Sequence, residues 1–148
     1  MAEIRAGGEG CYNGGVTDIE LVTAYYAAFN RGDWDGMCAL LAEDVVHDLN
    51  QGARETGRAT FRAFLDRMNR NYREQLRDVA VMSGPPGRVA AEYVVEGQYL
   101  ATDEGLPPAT GQRYTLPGGA FFEITGGAIR RVTNYYNLQA WLAQVGAK

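Results

Sequence analysis

The sequence predicts an α+β fold in which helices pack on one face of a strongly curved antiparallel sheet. Three observations carry that prediction. Apolar residues recur at helical spacing from Thr17 to about Tyr72, the period falls to two from Gln75 onward, and Gly/Pro clusters punctuate the second half where hairpins need turns. Helices grouped early and strands grouped late give the order ααβαββββα. The 148 residues, 46% hydrophobic and 22% charged, suffice for one domain around one core.

The elements follow in order. Residues 1–16, with five glycines and no apolar period, cannot bury enough surface to offset their ordering entropy, which predicts a flexible Gly-rich tail before a single domain over 17–148. Thr17 and Glu20 have capping-box spacing, and Val22, Tyr25, Tyr26 and Phe29 then form one helical stripe that ends at the turn Asn30-Arg31-Gly32. Asp33 is placed to cap a second, shorter helix with Trp34, Met37, Cys38 and Leu41 on its apolar side. Val45 to Gln51 reads as a strand, and a third helix follows from about Gly57 to Tyr72 with Phe61, Phe64, Leu65, Met68 and Tyr72 on one face. Leu76 to Met82 and Val89 to Leu100 make a hairpin across Ser83–Gly87. The inner face of its second strand would carry Val89, Ala91, Tyr93, Val95 and Tyr99. Gln112 to Thr125 and Ala128 to Asn137 make another across Gly126-Gly127, with Pro117-Gly118-Gly119 predicting a bulge or sharp bend. Leu138, Trp141, Leu142 and Val145 set out a short C-terminal helix.

Charge and composition exclude several function classes. A formal charge of −4 leaves no basic field for a phosphate backbone, so nucleic acid is not an expected partner. No apolar run approaches the ~20 residues a bilayer requires, and no secretory pattern opens the chain, which points to a cytoplasmic protein without membrane contact. Two cysteines and one histidine are too few for the common zinc sites, so no metal is expected. Carboxylates, tyrosines and His47 remain as catalytic stock.

The run AYYAAFNRGDWDGMCALLAEDVVHD resembles the start of steroid Δ-isomerases and of the wider cone-shaped nuclear transport factor 2-like superfamily, which includes the SnoaL-like polyketide cyclases. The ending RVTNYYNLQAWLAQVG is similar to the last strand and tail helix of the cyclase branch, so the resemblance spans residues 17 to 145. It implies a cone of three N-terminal helices on the curved sheet and a homodimer formed through the convex face. It also implies an isomerase or cyclase acting without cofactor on a small hydrophobic steroid- or polyketide-like carbonyl compound. The alternative on the same fold is a binding module that holds an apolar ligand or a protein partner.

Carried over residue by residue, the isomerase pattern places its oxyanion tyrosine on Tyr25 and its general base on Asp48. Its second oxyanion acid falls near Ala120, where no acid stands, and the acid of the cyclase branch falls on Asn137. The Arg-Asp pair of the epoxide hydrolase branch finds a counterpart only in Arg31-Gly32-Asp33, in a turn. Period two sets Val45, His47 and Leu49 on one face and Val46, Asp48 and Asn50 on the other. Hydrophobicity buries the first set, whereas the resemblance requires Asp48 and Asn50 inside, so His47 competes with its neighbour as the titrating group. Asn50, Phe64, Met68, Tyr93, Val95, Phe121, Asn134 and Tyr136 are the expected substrate-lining residues. Asp103 and Glu104 lie in a loop that would reach a cavity mouth. Asp66 and Glu74 interleave with the arginines of helix three and read as part of a solvated face.

Overall fold

The computed structural model describes residues 17–146, and the predicted tail over 1–16 lies outside the described residues. Helix α1 (Asp18–Asn30) starts as its sequence demands: the Thr17 hydroxyl accepts from the Glu20 amide at 3.1 Å, and Asp18 and Glu20 occupy the positive end of the helix dipole. It buries Leu21, Val22, Tyr25, Tyr26 and Ala28 against the sheet. Helix α2 (Trp34–Cys38) is capped by Asp33, which accepts from the Gly36 amide at 2.8 Å. It stops short of Leu41, because β1 (Leu41–Asp48) already begins there.

A strand absent from the expectation follows, β2 (Arg54–Thr56), paired antiparallel to β1. Helix α3 (Arg58–Asn71) leads directly into β3 (Tyr72–Ser83), then β4 (Arg88–Tyr99), β5 (Arg113–Thr125), β6 (Ala128–Tyr136) and the closing helix α4 (Leu138–Val145). The strands form one sheet in the order β2-β1-β6-β5-β4-β3. The expected all-antiparallel sheet is corrected at one junction: β1 runs parallel to β6. The chain leaves β1 through β2 and α3 to the far edge and returns by three successive hairpins, so the last strand meets the first with the same sense.

The predicted break at Pro117-Gly118-Gly119 is also corrected. These residues pair without interruption with Val94, Tyr93 and Glu92, and the irregularities fall instead between Arg77 and Ala80 and between Glu123 and Ile124. Pro117 lies one residue beyond the end of the β6 ladder, so its missing N–H costs no bond on that side. Asp78, in the irregular part of β3, takes φ 53°, which absorbs the extra residue of the bulge.

The concave face carries the core, with Phe122, Val132, Ile129 and Tyr99 fully buried. Each such aliphatic or phenyl side chain contributes about 1.5–3 kcal/mol by leaving water. The end of α1 is clamped to the sheet edge by Asn30, whose amide donates to the Leu76 carbonyl at 2.9 Å and accepts from its N–H at 2.8 Å. Among the described residues, no helix is long and apolar enough to cross a membrane.

Candidate active site

The helices do not fill the cone. Between α1, α3, α4 and the concave face remains a cavity of about 390 Å³. Two sheet glycines shape its wall by letting tyrosine rings lie flat across the strands. A Cβ at Gly97 would stand 2.2 Å from the Tyr114 ring, and one at Gly118 would stand 2.6 Å from the Tyr93 ring. Gly97 pairs with Glu74 on one side and Tyr114 on the other, so the bare strand position is what allows Tyr114 to lie toward Glu74.

Most of the expected lining residues reach this cavity. Tyr25, Phe64, Met68, Tyr93 and Val95 form apolar wall, while His47, Asn50, Asn134 and Tyr136 bring polar atoms to it. Two expected residues do not. Asp48 faces the convex side, where it accepts two hydrogen bonds from Arg54, at 2.6 and 3.1 Å, and one from the Thr133 hydroxyl at 2.8 Å. These bonds, with Arg131 at 3.8 Å, hold its carboxyl below the usual range against a smaller opposing effect of burial. The reason is the strand period: burying Val45 and His47 puts Asp48 outside, so the face chosen by hydrophobicity prevails over the one the isomerase pattern requires. Phe121 is likewise convex, 47% exposed and edge-on to Tyr135 at 5.8 Å.

His47 is 2% exposed and held between Phe61 and Phe64, with ring centroids at 4.5 and 4.7 Å. Burial brings its pKa down to about 4, so the ring is neutral at physiological pH. Its Nε2 lies 3.3 Å from the Asn134 amide nitrogen, and its Nδ1 has no partner. An amide N–H directed at Nε2 makes that nitrogen the acceptor and leaves the proton on Nδ1. The histidine therefore orients the Asn134 amide, which lines the cavity beside it.

The residue that sequence reasoning missed is Glu74. The arginine-rich run around it reads as a helix surface, but α3 ends at Asn71 and Tyr72, Glu74 and Leu76 alternate inward along β3. The Tyr72-x-Glu74-x-Leu76 spacing is the one sequence signal that could have found it. Desolvation pushes its carboxyl up to about 7, with the Tyr114 hydroxyl pulling weakly the other way. Among the described residues no Lys or Arg pairs with it. The surrounding phenols stay neutral: burial raises Tyr25, Tyr26 and Tyr114 well above the ordinary range and lifts Tyr93 to about 12.

The two positions on which the resemblance would place an acid carry none. Asn137 caps α4, its side chain accepting from the Ala140 amide at 3.2 Å. Ala120 pairs with Asn134 in the ladder, so the amide occupies the space beside the missing acid. Among the described residues, no group of three or more His, Cys, Asp or Glu could hold a metal ion.

A curved sheet wrapped around an aromatic cavity and closed by three helices and a tail helix defines the nuclear transport factor 2-like class of cone folds. Within it, the chain belongs to the SnoaL-like domain family, whose sequence profile matches residues 22–132. It is similar to a crystal structure of a candidate polyketide cyclase from Pseudomonas putida, 60% identical, with a TM-score of 0.88 over 89% of this chain and 100% of that one. A second candidate polyketide cyclase, from Xanthomonas campestris, is 68% identical with a TM-score of 0.82, over 85% of this chain and 94% of the other. A protein of ketosteroid isomerase-like fold from Catenulispora acidiphila, crystallised with trimethylamine, is 25% identical with a TM-score of 0.66, over 87% and 94%. No curated protein matches the chain.

Proposed function

We propose that this protein catalyses proton transfer beside a carbonyl on a hydrophobic, polyketide- or steroid-like compound, as a small cyclase or isomerase. The observation that carries the reading is Glu74, a carboxyl without a cationic partner in an aromatic cavity, with its pKa drawn to about 7. A base is most effective when its pKa lies near the working pH. The ionised Glu74 takes a proton from the carbon next to the carbonyl, the electron pair of that C–H bond becomes the new C=C bond, and the π pair of the carbonyl moves onto its oxygen. The enolate is received by neutral donors, the Asn134 amide held by His47 and the Tyr25 hydroxyl. Each such donor accounts for about 10²–10³ in rate. Collapse of the enolate either reclaims the proton from Glu74 at another carbon or forms a C–C bond to a second carbonyl, the proton then passing from Glu74 to the new alkoxide.

The cyclase descriptions of the two similar crystal structures favour the C–C bond-forming outcome. The exposed Phe121–Tyr135 pair on the convex sheet supports pairing of two copies through that face. Deuterium exchange at the α-carbon of 2-tetralone, followed by mass spectrometry, tests the proton step without the natural substrate. Exchange above the solvent rate that disappears in Glu74→Gln is the expected result, and exchange retained in that variant refutes the role of Glu74.

A further inference from the structure

One end of the cavity carries more negative charge than its chemistry requires. Asp103 stands on its wall in the loop between β4 and β5, where one carboxylate oxygen accepts from the Tyr72 hydroxyl at 2.9 Å and the other from the Glu104 amide at 3.1 Å. No Lys or Arg among the described residues pairs with it. Its loop is fastened from inside: the buried Tyr99 hydroxyl accepts from the Asp103 amide at 2.8 Å and donates to the Pro107 carbonyl at 2.7 Å. The carboxylate is thus fixed in place on a short tether.

Aromatic rings surround this end. Tyr72 lies 6.2 Å from Trp141 and stacks on Tyr99 at 5.3 Å, and Tyr136 completes the wall. Asp103 and Glu74 both act electrostatically on Tyr136, which places the two acids around the same ring. The cation on the lining, Arg67, lies exposed on α3 over the Phe64 ring at 5.5 Å. The Asp103 carboxylate thus faces the cavity with its nearest lining cation exposed on α3, and rings with electron-rich faces favour a cation over an anion.

We propose that the ligand of this cavity carries a protonated or quaternary amine on its hydrophobic frame, seated between Asp103 and the rings of Tyr72, Tyr136 and Trp141. The proposal rests on the cavity being the substrate site, as argued above, and adds the charge of the substrate. Asp103 supplies the counter-charge while Glu74 stays free for the proton step. A desolvated cation over such rings favours binding by about 10-fold or more relative to an uncharged group of the same shape.

The test compares benzyltrimethylammonium with its neutral isostere neopentylbenzene, read by Trp141 emission in a Trp34→Phe background. The expected result is at least about 10-fold tighter binding of the cation. Asp103→Asn, which keeps the shape and the acceptor for Tyr72, should reduce that preference several-fold while affinity for neopentylbenzene and the thermal midpoint hold. Equal or weaker binding of the cation, no binding of it, or a preference untouched by Asp103→Asn overturns the proposal. The 2-tetralone assay uses an uncharged ketone, so the proton-transfer reading and this one fail separately.

Discussion

His47 and Asp48 are consecutive residues of β1, yet they live in opposite electrostatic worlds. Asp48 on the convex face is held ionised by Arg54, Thr133 and Arg131, and the chain of charges continues from Arg131 to Glu123 at 3.3 Å and on to Arg88 at 3.3 Å. His47 on the concave face is held neutral by burial, and across the cavity Glu74 is pushed toward its protonated form by the same cause. Accepting three hydrogen bonds and paired with Arg54, the outer acid is held in its weakly basic, ionised form. Desolvated and without a cationic partner, the inner acid titrates where a catalyst would use it.

The largest effect expected from breaking this contrast is at Glu74. Glu74→Gln should lower α-proton exchange by about 10²–10⁴-fold and remove the rise in rate centred near pH 7. The same substitution changes the pH dependence of folding. Because the folded pKa of about 7 exceeds the ordinary 4.5, the contribution of Glu74 to stability is complete below pH 4.5 and is lost as pH rises through about 7. At about 1.4 kcal/mol per unit this amounts to about 3 kcal/mol, so the variant should gain on the wild type by roughly that amount above pH 7 in denaturant melts.

His47 runs the other way. Its folded pKa of about 4 lies below the ordinary 6.5, so its contribution is complete above pH 6.5 and lost as pH falls through about 4. As His47 is the chain's single histidine, one imidazole spectrum reports it. That signal should stay at its neutral position from pH 8 to pH 5, and a midpoint near 6.5 would return the ring to solvent.

On the outer face the effects are smaller. Phe121→Glu should convert the proposed dimer to monomer in sedimentation equilibrium while leaving monomer folding intact, and a wild type that sediments as monomer at all concentrations removes that interface. Asp48→Asn should cost no more than about 1 kcal/mol above pH 4, in keeping with a largely solvated ion pair, and change exchange by less than about twofold. A loss comparable to that of Glu74→Gln would restore Asp48 as the base and invert the comparison.

The helical stripe of α1, the Thr17 and Asp33 caps, the hairpins and the C-terminal helix were all legible, because each depends on residues within a few positions of one another. So was the family, from the Asn30-Arg31-Gly32-Asp33 turn and the strand that follows. The base was not. The motif favours Asp48 and the composition passes over Glu74, because the face a strand residue occupies depends on which side the sheet buries, and the helix-to-strand switch at Tyr72 has no Gly or Pro to mark it.

The sequence by itself determined the order of elements and the stock of groups available for chemistry, since periodicity and capping are local physics. Only the tertiary structure decided which acid meets water. That choice followed from Gly97 clearing a path for Tyr114 and from β1 burying His47, contacts between residues far apart in the chain whose effect is desolvation, a property no single segment possesses.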